Sequence, residues 1–354
     1  LKGISLFSGG GIGELYLNRL GVEIVVANEI IERRAKFYSD MNPETLMVVG
    51  DISDESIKDK ILRETNENIK FLIATPPCQG VSNLGKNKNL QEKLLDPRNY
   101  LIFDALEIID NLDLDYILFE NVPGFLNIKL PYKNKVLSIM EILRDKYDEN
   151  YNVDSKVINC MYYGIPQSRP RAFIKIFKKG LKWEWPQEKN HLISLEESIG
   201  DLPSLESGEQ SLLKNHSSRV HTETHIEWMK NTPTGKSAHD NKIFYPKKKD
   251  GSRIKSYKST YKRMRWDRPA PAITMRSDAI SSQENVHPGR RRKDGTYTDA
   301  RVLTLRELFI VSSIPGDWDY CEWASDTFVR QIVGEGIPPK MVYEIVKGIG
   351  ELDD

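Results

Sequence analysis

Ile69-Lys70-Phe71-Leu72-Ile73-Ala74-Thr75-Pro76-Pro77-Cys78-Gln79-Gly80 is the stretch from which the fold can be predicted. Its first five residues form an apolar run that predicts a buried strand. The two prolines end that strand, because neither donates a backbone hydrogen bond and both fix φ. Cys78 then stands where open α/β sheets bind ligands, at the carboxyl end of a strand. A buried structural cysteine is the alternative, but the polar loop that follows favours a nucleophile.

A glycine-rich turn, 8–13, follows the first predicted strand, 3–7. Such a turn lets a ligand approach the backbone, although glycine turns are often only structural. The second predicted strand leads into Glu29, which lies 20 residues after Gly9. Dinucleotide-type folds place an acid at this spacing, on the ribose hydroxyls. The third predicted strand leads into Asp51. Three strand ends that carry Gly, Glu and Asp predict a site for an adenosine-bearing cofactor.

Strand and helix patterns alternate up to Phe177 and then change character. This alternation predicts an α/β fold with a doubly wound parallel sheet. The predicted strands are 23–27, 47–49, 116–119, 156–159 and 171–177, and the predicted helices are 14–20, 100–111, 133–147, 304–310 and 338–352.

Two further motifs carry candidate chemistry. Glu120 ends the strand 116–119, and enclosure beside the thiol would raise its pKa and make it a proton donor. A helix cap or a solvent-facing acid is the alternative. Arg169 and Arg171, two guanidiniums in Gln167-Ser168-Arg169-Pro170-Arg171, suit a phosphate or a base carbonyl, although arginines on loops are usually only solvated.

The charge of the chain is unevenly distributed. The formal net charge of the 354 residues is zero, yet residues 242–301 hold 17 Lys or Arg against 6 Asp or Glu, a balance of +11. Such an excess predicts a face that meets a polyanion. Within it, residues 257–266 interleave cationic and aromatic side chains, which can contact bases and phosphates; a charged surface over core aromatics is the alternative.

Cysteine and histidine usage argues against a disulfide framework and a metal centre. The three cysteines, Cys78, Cys160 and Cys321, are widely spaced, which favours a reducing, intracellular setting. His216, His221 and His225 could form a metal cluster, but no thiol or motif supports one, so we interpret them as surface histidines. No apolar run approaches the ~20 residues of a membrane span.

In this order, the motifs resemble those of the cytosine-5 DNA methyltransferases, and the resemblance covers nearly the whole chain. The matching segments are 7–11 (first motif), 76–79 (nucleophile), 120–122 (proton donor), 167–171 (Gln-x-Arg-x-Arg), 268–274 (support of the recognition domain) and 287–288 with 301–307. Six motifs in register make coincidence a poor explanation.

The resemblance implies a Rossmann-like methyltransferase domain, 1–178 completed by 325–354, and a smaller DNA-recognition domain, 179–324. It also implies S-adenosylmethionine as cofactor, with S-adenosylhomocysteine as product. The implied cofactor contacts are Phe7, Gly9, Gly11, Glu29, Ile30, Asp51, Ile52, Pro77, Leu101 and Glu335. We add as DNA contacts Gln79, Ser82, Lys86, Arg98, Arg263, Arg265, Arg290, Arg291 and Arg292.

The mechanism implied by the family is covalent. The Cys78 thiolate would add to carbon 6 of cytosine, which makes carbon 5 nucleophilic. Glu120 would stabilise the charge that develops at ring nitrogen 3, with Arg171 near the base carbonyl and Arg169 assisting. Because a stacked base cannot be reached in this way, it must be flipped out, and the loop 81–98 would close over it.

The sequence thus predicts a DNA (cytosine-5)-methyltransferase of a restriction-modification system, acting on duplex DNA in the bacterial cytoplasm. We expect a monomer, with a cognate endonuclease in the same system but no direct contact with it. Two alternatives stay open: a transfer-RNA cytosine-5 methyltransferase and a catalytically silent DNA-binding relative. One departure stands out, because Glu335 occupies a position where the family usually has Asn. It either faces the sulfonium of the cofactor or turns outward.

Overall fold

The structure is a computed structural model that describes residues 1–65, 68–77, 96–248, 250–254 and 258–350. The chain forms two compact units. Unit 1 comprises Leu1–Asn159, Pro170–Pro186 and Val342–Asp354, and unit 2 comprises Cys160–Arg169 and Gln187–Met341. Compactness does not assign a function, so the division into a cofactor-binding and a DNA-recognition domain stays a prediction.

Unit 1 is built on a seven-stranded sheet with the order β3-β2-β1-β4-β5-β9-β8. Neighbouring strands from β3 to β5 are parallel. The chain order reverses between β1 and β4, and such a reversal opens a crevice at the carboxyl ends of the strands. The strands are β1 Lys2–Leu6, β2 Glu23–Glu29, β3 Leu46–Val49, β4 Ile69–Ala74, β5 Tyr116–Asn121, β8 Tyr151–Asn159 and β9 Pro170–Lys178.

The predicted α/β fold is confirmed, but the sheet is not wholly parallel as predicted. The last strand, β9, runs antiparallel to both β5 and β8. The segment 160–169, which joins β8 to β9, contains only one turn of 3₁₀-helix, Cys160–Tyr163. A parallel return needs a crossover of a dozen or more residues, so this connection is too short for one.

The helices of unit 1 cover the sheet and bury an aliphatic core. They are α1 Glu32–Met41, α2 Glu55–Glu64, α3 Leu101–Asp110 and α4 Ile139–Tyr147. The Ser138 hydroxyl and the Glu141 side chain form a capping box that fixes the start of α4. Because the first turn is satisfied there, α4 begins at Ile139 and not at 133.

Two local predictions in unit 1 were wrong. The predicted helix 133–147 begins with a hairpin of β6 Lys129–Tyr132 and β7 Lys135–Ser138, because Lys133 and Asn134 take left-handed φ angles of 45° and 62°. The predicted helix 14–20 is two 3₁₀-helices, Ile12–Glu14 and Leu17–Leu20. So short a segment makes few α-helical hydrogen bonds, which makes a continuous helix marginal.

Unit 2 has few regular elements and is held together partly by buried arginines. Its helices are α5 Leu195–Ile199, α6 Glu223–Lys230, α7 Leu305–Val311 and α8 Asp326–Glu335, and the last described helix is α9 Pro339–Val346. The predicted helix 304–310 is confirmed, with Thr304 as its N-cap. Trp228, Met229, Ile280 and Val286 belong to an apolar cluster.

The prediction that Arg263 contacts DNA needs correction, because Arg263 cannot reach DNA in this conformation. Its side chain has no exposed surface, and its guanidinium donates to the carbonyl oxygens of Met229, His287, Thr298 and Asp299 at 2.7–3.2 Å. Every N–H of the guanidinium is thus used inside the unit. Arg263 stabilises the fold of unit 2 and does not face a phosphate.

No helix in the described ranges is both long enough and apolar enough to cross a membrane.

Candidate active site

The glycine-rich turn after β1 packs tightly on one side and is open on the other. Phe7, Gly9 and Gly11 have left-handed φ angles of 58°, 57° and 75°. A Cβ at Gly11 would lie 2.9 Å from the ring of Tyr38, so only glycine fits there. At Gly9 no described atom lies within 4 Å of the place that a Cβ would take. The main chain at Gly9 is therefore open to a ligand.

Glu29, the last residue of β2, holds this turn and keeps acceptor capacity. Its Oε2 accepts the Gly9 amide at 2.9 Å, and its Oε1 accepts the Ile31 amide at 2.8 Å. Each carboxylate oxygen can accept a second hydrogen bond, so both can still meet the ribose hydroxyls that the sequence predicted. Ile30 lies beside it with 56% of its surface exposed, which suits an apolar ligand contact.

Asn28 brings the two predicted cofactor acids to neighbouring strand ends. Its side-chain amide donates to Val48 O at 2.9 Å and to Gly50 O at 3.1 Å, and so fixes the end of β3 beside β2. Glu29 ends one of these strands and Asp51 follows the other. Asn28 was not among the predicted site residues, because a single amide before an acid does not by itself indicate a functional role.

The other predicted cofactor contacts differ in how accessible they are. Asp51 is exposed, and its Oδ1 accepts the amide and the hydroxyl of Ser53 at 2.9 and 2.8 Å. Ile52 is 2% exposed and packs in the core, so only its main chain could face a ligand. Leu101 begins α3 and packs partly buried against the same core.

A buried carboxyl that the sequence analysis missed lies under the glycine-rich turn. Glu14 accepts hydrogen bonds from the hydroxyls of Ser5, on β1, and Tyr38, on α1. Burial raises the pKa of Glu14 to about 7, although both hydrogen bonds act in the opposite direction. In the sequence, Glu14 is only the acid after a glycine turn, and nothing local shows that Tyr38 faces it.

Hydrogen bonds between segments fix the end of β4. The Thr75 hydroxyl donates to Phe7 O at 2.8 Å, and the Asn121 amide donates to Pro76 O at 2.8 Å. The carboxyl ends of β1, β4 and β5 are therefore joined, and Pro77, the predicted cofactor contact, is half-buried among them. Asn121 belongs to the predicted proton-donor motif, but its anchoring role was not foreseen.

Four predicted residues lie outside the described residues: Cys78, Gln79, Ser82 and Lys86. Their roles as nucleophile and as DNA contacts stay predictions. Arg98 is described, and its guanidinium makes two bonds to the Asp96 carboxylate, at 2.8 and 2.7 Å. A DNA contact by Arg98 would compete with this pair.

Glu120 and Arg171 form the centre of the candidate site. Arg171 Nε lies 2.9 Å from Glu120 Oε1, and the two side chains are 17% and 9% exposed. The antiparallel pairing of β5 with β9 produces this contact. It sets Asn121 opposite Ala172 and Glu120 opposite Phe173, and Arg171, two residues before Phe173, lies on the same face of the sheet as Glu120. A half-enclosed carboxyl beside a guanidinium can hold or transfer a proton and can bind a heterocycle through directed hydrogen bonds.

Arg169 has different partners from Arg171. It is 3% exposed, and its guanidinium donates to Ile273 O at 2.7 Å, Gly334 O at 2.8 Å and Glu335 O at 3.1 Å. These bonds tie the end of the segment 160–169 to the end of α8 within unit 2. Glu335, the predicted cofactor contact, is exposed, and its carbonyl accepts one of these bonds; a cofactor contact by Glu335 stays a prediction. A catalytic role for Arg169 stays a prediction.

Most of the arginines predicted as DNA contacts are already paired with carboxylates. Arg265 binds Asp267 at 2.8 and 2.6 Å. Arg290 binds Glu196, and Arg292 binds Glu206. Arg291 is exposed, and no carboxylate of the described residues pairs with it. The +11 balance of 242–301 therefore overstates the positive charge that is available to a ligand.

Of the three histidines that the sequence suggested as surface residues, His216 is buried, and His221 and His225 are half-buried. His216 is fully buried, and its ring nitrogens contact the Thr304 hydroxyl at 3.0 Å and Pro203 O at 2.8 Å. Burial lowers the pKa of His221 to about 4. In the described part of the chain, no group of three or more His, Cys, Asp or Glu residues could hold a metal ion.

Comparison with known proteins assigns this chain to a family. The profile of the C-5 cytosine-specific DNA methylases matches residues 1–351. The type II methyltransferase M1.HgaI of Avibacterium volantium is 48% identical over 350 residues, which cover 99% of this chain and 98% of that protein. M1.HphI of Haemophilus parahaemolyticus is 27% identical over 350 residues, covering 98% and 86%. A solved Spodoptera frugiperda DNMT2 variant shares the fold, with a TM-score of 0.64 at 18% identity and 98% coverage of both chains.

Proposed function

Because the chain belongs to the family of C-5 cytosine-specific DNA methylases and is a DNA (cytosine-5)-methyltransferase of the type II restriction-modification kind, we propose that it methylates carbon 5 of a flipped-out cytosine in a specific duplex site. The methyl donor in this proposal is S-adenosylmethionine. Flipping is required, because the reacting face of a stacked cytosine is closed to a protein side chain.

The contact between Glu120 and Arg171 is the observation that carries the proposal. The two side chains are largely enclosed at the carboxyl end of β5, where an α/β sheet binds its ligand. With a cytosine bound beside this pair, Glu120 holds the proton at ring nitrogen 3 and Arg171 donates to the base carbonyl. The Cys78 thiolate adds to carbon 6 and leaves after the proton at carbon 5 has been removed.

The ends of β1, β2 and β3 fit the proposed cofactor. The open main chain at Gly9, the remaining acceptor capacity of Glu29 and the exposed Ile30 suit the ribose and the adenine. When bound, S-adenosylmethionine supplies an electrophilic methyl group. The residues of this chain bind and orient it, and the hydrogen-bonded ends of β1, β4 and β5 hold that site beside the segment that leads to Cys78.

A transfer assay with two nucleic acids tests the proposal. The purified chain receives S-adenosylmethionine with a labelled methyl group and either plasmid duplex DNA or transfer RNA. We expect label in DNA, as 5-methylcytosine, and bisulfite sequencing then gives the site. Label only in transfer RNA would indicate a transfer-RNA cytosine-5 methyltransferase. Label in neither nucleic acid would indicate a catalytically silent DNA-binding relative.

Trapping with a modified substrate tests the covalent step separately. Duplex DNA with 5-fluorocytosine in the target should stay bound to the protein, because fluorine cannot leave as a proton does. The variant Cys78→Ala should form no such adduct and should transfer no methyl group. Methyl transfer by this variant at a measurable rate would exclude the thiol mechanism.

The cellular setting follows from the substrate. We propose a bacterial cytoplasmic enzyme that acts as a monomer on double-stranded DNA. A cognate endonuclease that reads the same site would belong to the system without touching this chain. Size-exclusion chromatography with light scattering, with and without duplex DNA, tests whether the protein is a monomer.

A further inference from the structure

Residues 290–298 of unit 2 form a short hairpin rich in basic side chains, here called the basic hairpin. Arg291 pairs with Tyr297 as an antiparallel bridge. On either side of this bridge, the Arg292 amide donates to Thr296 O at 2.7 Å and the Thr298 amide donates to Arg290 O at 2.9 Å. Successive side chains along such a hairpin point to opposite faces.

One face of the basic hairpin is used to hold it on unit 2. The Arg290 guanidinium makes two bonds to Glu196, at 2.5 and 3.1 Å, and lies 4.4 Å above the centre of the Trp266 ring. Arg292 makes the equivalent ion pair with Glu206 at 2.5 Å. Arg290 and Arg292 are two residues apart, so they share a face, and that face is already neutralised.

Arg291 lies on the opposite face, and Lys293 follows Arg292 in the turn that closes the hairpin. Both are exposed, and within the described residues neither side chain has a carboxylate partner. The nearest acid in sequence, Asp294, accepts the amide and the hydroxyl of Thr296 at 2.9 and 2.7 Å. It is thus engaged in closing the turn. The hairpin therefore presents two exposed cations that no described carboxylate neutralises.

The main chain that carries these cations is held in place. The Tyr297 amide donates to Lys230 O, at the end of α6, at 2.8 Å, and the Trp266 indole donates to Gly289 O at 2.8 Å. The amide of Asp299, directly after the hairpin, donates to Glu206 Oε1 at 3.2 Å. Cations on a fixed main chain lose little conformational entropy when they bind a ligand.

From this division between paired and unpaired cations we infer that Arg291 and Lys293 contact backbone phosphates of duplex DNA, while Arg290 and Arg292 serve only to position the hairpin. The inference rests on the proposed function for the identity of the polyanion. Contacts of this kind orient the protein on the duplex and carry no sequence information. They would act equally on cognate and non-cognate DNA.

Other basic residues of the segment 242–301 do not offer the same matched arrangement. Several form ion pairs with neighbouring acids: Lys258 with Asp240, Lys262 with Glu284, Arg265 with Asp267 and Arg276 with Asp278. Lys242, Lys247, Lys248 and Arg268 are exposed and have no carboxylate partner among the described residues, so any phosphate contact that they make adds to the slope beyond the contribution of the hairpin. Among the described residues of this segment, only the basic hairpin has two paired and two unpaired cations on alternate positions, which provides a built-in control.

The salt dependence of DNA binding tests the inference. The affinity of the full chain for a fluorescent mixed-sequence duplex is measured at several salt concentrations for the wild type, for Arg291→Gln with Lys293→Gln, and for Arg290→Gln with Arg292→Gln. Both double variants lose two formal charges from one hairpin. We expect the first to lower the slope of log K against log salt by about 1.8, or about 0.9 for each phosphate contact, and the second to leave it unchanged.

Each outcome decides between the two roles. An unchanged slope for the Arg291/Lys293 variant, or an equal loss in both variants, overturns the inference. If the Arg290/Arg292 variant fails to fold, Arg265→Gln with Arg276→Gln removes two paired charges elsewhere in unit 2 and must leave the slope unchanged. Methyl transfer to DNA is measured in parallel: a wild type that neither binds nor methylates DNA refutes the proposed function, whereas an active wild type with the wrong slopes refutes this inference alone.

Discussion

At the residue scale, Glu14 links the protonation of one carboxyl to the shape of the glycine-rich turn. The hydroxyls of Ser5 and Tyr38 both donate to it, an arrangement that suits the ionised form. Burial raises the pKa of Glu14 to about 7, so its charge changes near neutral pH. The glycine-rich turn lies directly beside the proposed cofactor site. The protein with ionised Glu14, in which both hydrogen bonds hold the turn, should therefore bind cofactor better than the protein with protonated Glu14.

We therefore predict that the dissociation constant for S-adenosylhomocysteine falls severalfold between about pH 6 and about pH 8 in the wild type. Glu14→Gln should bind weakly and show no such pH dependence, because an amide cannot accept from both hydroxyls. Calorimetry over this range measures the effect. Tyr38→Phe, which removes one donor without changing the charge at residue 14, should weaken binding yet keep a pH dependence. A parallel pH profile for Glu14→Gln would exclude the role of Glu14.

Glu120 is the second residue whose chemistry can be isolated. Replacement by Gln keeps its size and a carbonyl oxygen for Arg171, but an amide cannot deliver a proton to ring nitrogen 3. We predict that Glu120→Gln keeps cofactor and DNA affinity and loses methyl transfer by roughly 10²–10⁴-fold. Single-turnover kinetics separate this chemical step from binding. A loss below tenfold would reduce Glu120 to a supporting role.

At the element scale, the start of β9 separates two arginines that look alike in the sequence. Arg169 donates to three carbonyl oxygens inside unit 2, whereas Arg171 meets the Glu120 carboxylate. Removing Arg169 leaves several buried acceptors without donors, and removing Arg171 leaves a single carboxyl, that of Glu120, without this partner.

We predict opposite phenotypes for the two methionine variants. Arg169→Met should lower the free energy of unfolding by about 2–5 kcal/mol, because several buried carbonyls lose their hydrogen bonds. Arg171→Met should lower stability less, because the Glu120 carboxyl can take up a proton when its partner is lost, and it should lower the rate of methyl transfer by about 10²-fold or more. Denaturant unfolding and kinetics on both variants measure this. A stable Arg169→Met with a large kinetic defect would instead support the catalytic role that the sequence suggested.

At the scale of the whole molecule, unit 2 depends on a buried charged network. Arg301 binds Asp299 at 2.8 Å and Glu307 at 2.7 and 2.9 Å, with all three side chains almost fully buried. Burial alone would raise the pKa of Glu307, but Arg301 outweighs it and holds that pKa at about 2. His287 lies 3.5 Å from Glu307, and burial lowers the pKa of His287 to about 4, with Arg301 acting in the same direction.

This network makes stability fall on mild acidification. The unfolded chain takes up a proton on His287 near pH 6.5, whereas the folded chain resists until about pH 4. The unfolded state therefore binds more protons in that window, and the free energy of unfolding decreases as the pH falls, by on the order of 3 kcal/mol. Below about pH 4 the carboxyls add to the loss, because their folded pKa values are depressed as well.

We predict that His287→Asn flattens the dependence of the unfolding temperature on pH between about 6.5 and about 4. Asn can still accept the Gly289 amide that His287 Nδ1 accepts at 3.1 Å. A residual slope is expected from His221, whose pKa is also lowered to about 4. Equal profiles for the wild type and His287→Asn would remove His287 from the linkage.

The sequence by itself determined the parts of this protein that depend on neighbouring residues. Apolar runs gave β1, β2, β4 and β5, because a strand buried on both faces must be continuously apolar. The glycine-rich turn and Glu29 were also readable, since the spacing of 20 residues matches one strand–turn–helix–strand repeat. The motif order was enough to name the family that the comparisons confirm.

Only the tertiary structure decided which charged side chains are free. Arg263, Arg290 and Arg291 look equivalent in a basic segment, but the partners that distinguish them are distant in the chain: Asp299 is 36 positions from Arg263, and Glu196 is 94 positions from Arg290. The same holds for Glu14, whose partner Tyr38 is 24 positions away. Local pattern predicts most of the strands and the type of side chain, whereas burial and ion pairing are set by residues that only the folded chain brings into contact.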